Sequence, residues 1–202
     1  MEWAGILGRD FFERNTLEVA ADLLGTELVF ERGSGDQARV RIVETEAYMG
    51  ADDLASHASH GLTRRTSVMF GPAGHAYVYL IYGFHHCLNV VTELTDVPAA
   101  VLIRGAEPMS GVSGRTDGPG RLCRGLGIHR DHNGLDLTAP PLYFLAPTGH
   151  ESLTVSTGPR VGVQYAGEWA DRPWRFWIQG NPWVSRPPRR TIGRGDAAHV
   201  VR

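Results

Sequence analysis

Strand-forming residues come in this chain as short runs, each closed by glycine, proline or another turn former, and that pattern constrains the fold more than any other feature. Tyr77-Val78-Tyr79-Leu80-Ile81-Tyr82 is built of β-formers throughout, stops at Gly83 and resumes over 86–92, so a strand pair with a tight tip is predicted. Residues 27–31 and 38–48 flank Arg32-Gly33-Ser34-Gly35-Asp36-Gln37 and read as a second hairpin. Further strands are predicted over 99–104, 142–145, 153–156, 160–164 and 174–179. Helix signals are few. Asn15 with Glu18 forms a capping-box pattern ahead of Leu17, Ala20, Ala21 and Leu24, with Gly25 as the stop. Residues 52–60 and 118–124 read as short helices. Connections this short favour antiparallel neighbours. The expected fold is α+β: a single mixed domain over 1–202 on a mostly antiparallel sheet, with residues 186–202 as an irregular basic tail.

Composition narrows the function. A chain of 202 residues suits one core. The longest apolar run, 76–84, is far short of the ~20 residues a membrane helix needs, and residues 1–20 lack the basic start and apolar core of a signal peptide. A protein that stays in the cytoplasm and meets no membrane is expected. Cys87 and Cys123 stand alone, in no Cys-x-x-Cys pair, and read as reduced structural thiols. All 20 basic residues are Arg, which excludes a lysine Schiff base and a Gly-Lys-Ser/Thr phosphate loop. Residues 1–100 carry 7 Arg against 14 acids, the rest 13 Arg against 8. That asymmetry is compatible with nucleic-acid contact or with a solvated basic face.

Three constellations could carry chemistry. In Val43-Glu44-Thr45-Glu46-Ala47-Tyr48 a strand puts Glu44, Glu46 and Tyr48 on one face. Two carboxylates ~7 Å apart raise each other's pKa when dry, which prepares a general base, and spacing does not choose between them. His57, His60, His75, His85 and His86 crowd one third of the chain, with His57-x-x-His60 open to a metal reading that has no third ligand at a recognisable spacing. Tyr82-Gly83 carries a ring to a hairpin tip, where it either covers the hairpin or wedges into stacked bases.

In chain order, Arg41-Ile42-Val43-Glu44-Thr45-Glu46-Ala47-Tyr48, Asp53-x-Ala55-Ser56-His57, Met69-Phe70, the run from Tyr77 to Gly83 continuing to Cys87-Leu88-Asn89, Leu102-Ile103-Arg104-Gly105-Ala106-Glu107-Pro108, Gly118-Pro119-Gly120-Arg121-Leu122-Cys123, Arg160-Val161-Gly162-Val163 through Ala166-Gly167-Glu168-Trp169 and Gly180-Asn181-Pro182-Trp183-Val184-Ser185 form ordered blocks spread along most of the chain. In these blocks the chain closely resembles the alkyladenine (3-methyladenine) DNA glycosylase family. Arg65-Thr66 stands where that family commonly has Arg-Asn, and Arg121 where a lysine is usual.

The resemblance implies a curved sheet with a protruding hairpin. It implies a monofunctional base-excision enzyme that flips alkylated or deaminated purines (3-methyladenine, 7-methylguanine, hypoxanthine, ethenoadenine) out of duplex DNA. The N-glycosidic bond is then hydrolysed and an abasic site left. On that basis Glu46 is the general base activating water and Arg104 helps hold that water. Tyr48 stacks on one face of the flipped base, His57 and Tyr79 on the other. Asn89 discriminates against guanine, and the backbone of His57 and Val161 completes the pocket. Tyr82 is the wedge, and Arg65, Met69, Arg121 and Arg160 meet the DNA backbone. No cofactor and no metal are called for, the partner is double-stranded DNA containing damaged purines, and a monomer is expected. Two rivals remain: a binding-only lesion sensor, and a metal-dependent hydrolase on the His57/His60 cluster.

Overall fold

The structure, a computed structural model, describes residues 5–147, 152–185 and 199–201. Two short helices open it, α1 (Arg9–Phe12) and α2 (Thr16–Asp22). Asn15 caps α2 by accepting the Leu17 N–H at 3.0 Å, as its sequence predicts. The remaining elements are β1 (Glu27–Glu31), β2 (Gln37–Tyr48), β3 (Ala76–Ile81), β4 (His85–Thr92), β5 (Ala99–Ser110), α3 (Pro119–Leu126), β6 (Leu142–Leu145), β7 (Leu153–Gly158), β8 (Arg175–Ile178) and β9 (His199–Val201).

All strand pairings among these elements are antiparallel, and they join into one curled sheet in the order β3-β4-β5-β2-β8-β7-β9, with β1 pairing β2 and β6. The fold is mixed α and β in a single domain. Strand β2 is central: β5 lies along one side, while β1 takes its first half and β8 its second on the other. Its two faces therefore meet different surroundings. Ala38, Val40 and Ile42 enter the main core with Leu23 of the α2 cap, Leu28, Ile103, Phe144 and the α3 residues Leu122 and Leu126. Farther along, two register shifts in the β2–β5 pair leave Val43 on one strand and Arg104 on the other without a cross-strand partner. Bulges of this kind re-aim side chains.

Several expectations need correction. Residues 52–60 form turns and only a 3-10 helix at His57–His60, because the Asp53 carboxylate accepts the Met49 and Ala55 N–H groups and folds the chain back on itself. No strand forms over 160–164. Gly162 sits at φ +83°, the Arg160 side chain is pulled inward, and a 3-10 segment, Gln164–Asp171, follows. Strand β5 runs past the expected stop at 104 to Ser110, since Pro108 falls at a register shift where its missing N–H is tolerated. Helix α1 was not anticipated. Of the tail expected to be irregular, 186–198 and 202 lie outside the described residues, whereas His199–Val201 pairs with β7. No helix among the described residues is long and apolar enough to cross a membrane.

Candidate active site

A cleft of about 240 Å³ opens where β2, β3, β4 and β5 meet the loops at 55–57 and 161–165. Beneath it lies Glu46, fully buried. Its Oε1 accepts the Val161 N–H at 2.7 Å and its Oε2 the Tyr48 hydroxyl at 3.0 Å. Arg104 Nε stands 3.5 Å from Oε1. Tyr48, Val161 and Arg104 all line the cleft, so these three contacts of the Glu46 carboxylate also face the cavity. Burial pushes the Glu46 carboxyl above its usual range; the Arg104 guanidinium and the Val161 N–H oppose this, and the nearby Glu44 charge adds to it. Burial and the adjacent Glu46 push the Tyr48 hydroxyl well above 10, so it stays a donor.

The alternation of β2 does place Glu44, Glu46 and Tyr48 together, and tertiary contacts separate the two carboxylates. Glu44 is closed off by Arg175 Nε (2.7 Å), Ser185 N (2.6 Å) and Ser185 Oγ (3.1 Å), whereas Glu46 belongs to the cleft. Gly105 is needed at this point, because a Cβ there would lie 2.8 Å from Trp183 O and 3.0 Å from Glu44 Oε2.

One wall is aromatic. The His57 and Tyr79 rings meet edge to face at 4.6 Å, with Tyr77 6.1 Å from His57. Arg65 Nη2 lies 3.2 Å from His57 Nε2, and arginine can only donate, so Nε2 accepts and Nδ1–H donates to the Tyr77 hydroxyl at 2.9 Å. Burial, then Arg65, lowers the His57 pKa to about 4, leaving a neutral ring. Asn89 is buried and fixed by Nδ2 donating to Tyr77 O at 2.9 Å. Tyr48 also lines the cleft, with the Arg160 guanidinium 4.7 Å from its ring centre.

At the rim the β3–β4 hairpin ends in Tyr82, 80% exposed and held at φ +54°. A non-glycine residue in that region costs ~1–2 kcal/mol, and the turn closes on Phe84 N–H to Ile81 O at 3.3 Å. A large apolar ring that is both strained and solvent-facing has no role in packing.

Residues 10–182 match the family described as methylpurine-DNA glycosylase. The chain belongs to that family. It is 54% identical to a Myxococcus xanthus (strain DK1622) protein over 191 residues, covering 93% of this chain and 96% of that one. It is 55% identical to a protein of Anaeromyxobacter sp. (strain Fw109-5) over 184 residues (90% and 93%), and 51% identical to one of Legionella pneumophila (strain Lens) over 180 (89% and 98%). Each bears the name "Putative 3-methyladenine DNA glycosylase". The protein is thus a DNA glycosylase of base-excision repair, a hydrolase of N-glycosyl bonds whose substrate is DNA.

The glycosylase cleft brings Tyr48, His57, Arg65, Met69, Tyr79, Tyr82, Asn89, Arg104 and Val161 together. Two residues expected on the DNA backbone have buried side chains. Arg160 is fully buried as a side chain: both terminal nitrogens engage Asp53 (Nη2–Oδ1 2.8 Å), and they also donate to Ala47 O (2.9 Å) and Trp169 O (3.1 Å). Met69 is 2% exposed, packs with Ala58, Tyr77, Val91 and Ala100, and spends its N–H on Thr66 O. Arg65 is exposed at the rim with its guanidinium 5.2 Å from the Tyr79 ring. Arg121 is 56% exposed and paired with Asp117 at 3.0 Å. Thr66, where the family commonly has Asn, is buried and ties its turn through Thr63 N–H and Gly61 O. Among the described residues no group of three His, Cys, Asp or Glu side chains is placed to share a metal ion. Sequence reasoning missed Tyr165, which lines the cleft while its hydroxyl donates to Ala55 O at 3.3 Å, and the Arg175–Glu44 pair. Neither has a periodicity or motif signal.

Proposed function

We propose that this glycosylase extrudes an alkylated or deaminated purine nucleotide from duplex DNA into the cleft and that Glu46 is the general base for hydrolysis. The observation that carries the reading is the placement of Glu46: a buried carboxylate of raised basicity whose contacts Tyr48, Val161 and Arg104 line a cavity walled in part by the edge-to-face rings of His57 and Tyr79. Such a group both takes a proton from water and balances positive charge developing on the sugar. Water attacks C1′ as the C1′–N bond breaks, the bonding pair stays with the departing base, and the water proton passes to Glu46. Cationic 3-methyladenine and 7-methylguanine leave as neutral molecules, whereas hypoxanthine and ethenoadenine require more help. Arg104, beside Glu46 Oε1, holds the attacking water. Tyr48 stacks on one face of the base and His57 with Tyr79 on the other, and the buried Asn89 amide meets the edge that carries the guanine amino group. Tyr82 fills the vacated stack, at a cost in unpairing of a few kcal/mol that stacking offsets. Arg65 and Arg121 contact phosphates, and one copy of the chain acts alone.

The test is single-turnover release of hypoxanthine and 3-methyladenine from duplex DNA in EDTA, comparing wild type, Glu46→Gln and Tyr82→Ser. Release by wild type that falls ~10²-fold or more in Glu46→Gln and more modestly in Tyr82→Ser supports the reading. Tight binding of lesion DNA with no base released makes the protein a sensor and removes Glu46 from catalysis; activity abolished by EDTA returns the metal-dependent rival.

A further inference from the structure

The proposed mechanism uses Glu46 and leaves Glu44, two residues away on the same face of β2, without a task. Glu44 is fully buried, and of its partners only Arg104 lines the cleft. It cannot reach substrate. What it does reach is the guanidinium that serves Glu46: Arg104 Nε is 3.1 Å from Glu44 Oε1 and 3.5 Å from Glu46 Oε1, and it is aligned for a hydrogen bond with neither. The bulge at Arg104 suspends this side chain between two carboxylates. Glu44 itself is immobilised by Arg175, the Ser185 N–H and the Ser185 hydroxyl, and Gly105 leaves room for it.

We propose that Glu44 is a positioning residue that holds one side of the Arg104 guanidinium, so that this cation is shared between two carboxylates and never closes a full ion pair on Glu46. The inference rests on Glu46 being the general base. A closed Arg104–Glu46 pair would resemble the Arg160–Asp53 pair of the same molecule, in which both terminal nitrogens engage the carboxylate. Sharing keeps Glu46 ionisable and reactive. The charged or titratable groups around Glu46 are Arg104 from β5, Glu44 and Tyr48 from β2, Tyr79 from β3, Cys87 from β4 and, across the β2–β8 pair, Arg175. Within this set the Glu44 charge works against ionisation of Glu46 and the Arg104 charge favours it. Removing Glu44 alters both influences in the same direction.

The experiment is the pH profile of single-turnover hypoxanthine release under saturating enzyme, for wild type, Glu44→Gln, Ser185→Ala and Glu46→Gln, each checked for folding by thermal unfolding. In wild type the rate rises with pH as Glu46 ionises. Glu44→Gln removes a negative neighbour and frees Arg104 for Glu46, so the acidic limb moves to lower pH by ~1 unit while the plateau falls ~10-fold as the base weakens. Ser185→Ala takes one donor from Glu44, strengthens its hold on Arg104 and moves the limb the other way by a smaller amount. This variant decides the matter if Glu44→Gln does not fold. A residue that merely fills space moves neither limb, and an unshifted limb in a folded variant overturns the proposal. A limb that persists unchanged in Glu46→Gln overturns instead the assignment of Glu46 as the base.

Discussion

Two buried arginine–carboxylate assemblies lie within a few residues of each other in this glycosylase and are built to opposite ends. Asp53 and Arg160, with side chains both 0% exposed, form a directly paired unit: two terminal guanidinium nitrogens on two carboxylate oxygens, with the Met49 and Ala55 N–H groups added to the carboxylate and the Ala47 and Trp169 carbonyls to those nitrogens, while Arg160 Nε has no partner. Glu46 and Arg104 form an open one, 3.5 Å apart and unaligned, with a second carboxylate competing for the cation. Direct pairing through two hydrogen bonds makes the first unit architectural: Arg160 braces the Tyr48 ring and immediately precedes Val161, whose N–H reaches Glu46. The looser, shared pairing leaves Glu46 with its basicity raised by burial. Charge type and depth are similar in the two cases, and each arginine leaves its Nε without a hydrogen bond; the two direct hydrogen bonds between Arg160 and Asp53, which Arg104 and Glu46 lack, separate them.

The contrast breaks most visibly in stability. Asp53→Asn leaves Arg160 buried without its counter-charge, and unfolding by denaturant should show a loss of ~3–5 kcal/mol; a loss below ~1 kcal/mol would place the pair among ordinary surface bridges. Glu46→Gln should behave in the opposite way. Excision falls ~10²-fold, equivalent to ~2.7 kcal/mol, without loss of stability. The sign follows from linkage: a carboxyl whose pKa is raised on folding binds its proton more tightly in the native state, so above the unfolded pKa its ionised form opposes folding, and a neutral Gln removes that opposition. A melting temperature clearly below wild type at pH 7 would mean that Glu46 is architectural like Asp53.

Tyr82→Gly sharpens a second contrast, between strained tip and relaxed core. It should weaken excision from paired duplex by ~10-fold, as expected for one lost stacking partner, while leaving stability unchanged or higher, because glycine accepts φ +54° without strain. Equal rates for the two proteins would deny Tyr82 a wedge role. The smallest effect concerns His57. Its pKa falls from 6.5 to about 4 on folding, so the unfolded chain takes up the proton first and His57 withdraws stability as pH drops from 6.5 towards 4. Ring-proton NMR should show a midpoint near 4, and a midpoint near 6.5 would contradict the neutral, Nδ1-protonated ring.

Particular residues show where legibility in the sequence ended. Period-two alternation was enough to place Glu44, Glu46 and Tyr48 on one face, and the Tyr77–Gly83 run was enough for a hairpin with an aromatic tip, since both are local backbone properties. The ordered motif blocks also pointed to the family that the match over residues 10–182 shows. The burial of Arg160, which the resemblance places on the DNA backbone, is not legible in the sequence, because its partner Asp53 lies 107 residues away. The same holds for the strand expected over 160–164, undone by a side chain pulled inward and by Gly162.

What the sequence determined by itself was the repertoire: short antiparallel strands, a carboxylate face, an aromatic tip and a chain without lysine. What only the tertiary structure decided was which carboxylate faces the cleft, which arginine is architectural and which is suspended at a bulge. Those outcomes depend on contacts between residues far apart in the chain, where a buried charge is either hydrogen-bonded directly to its counter-charge or shared between two.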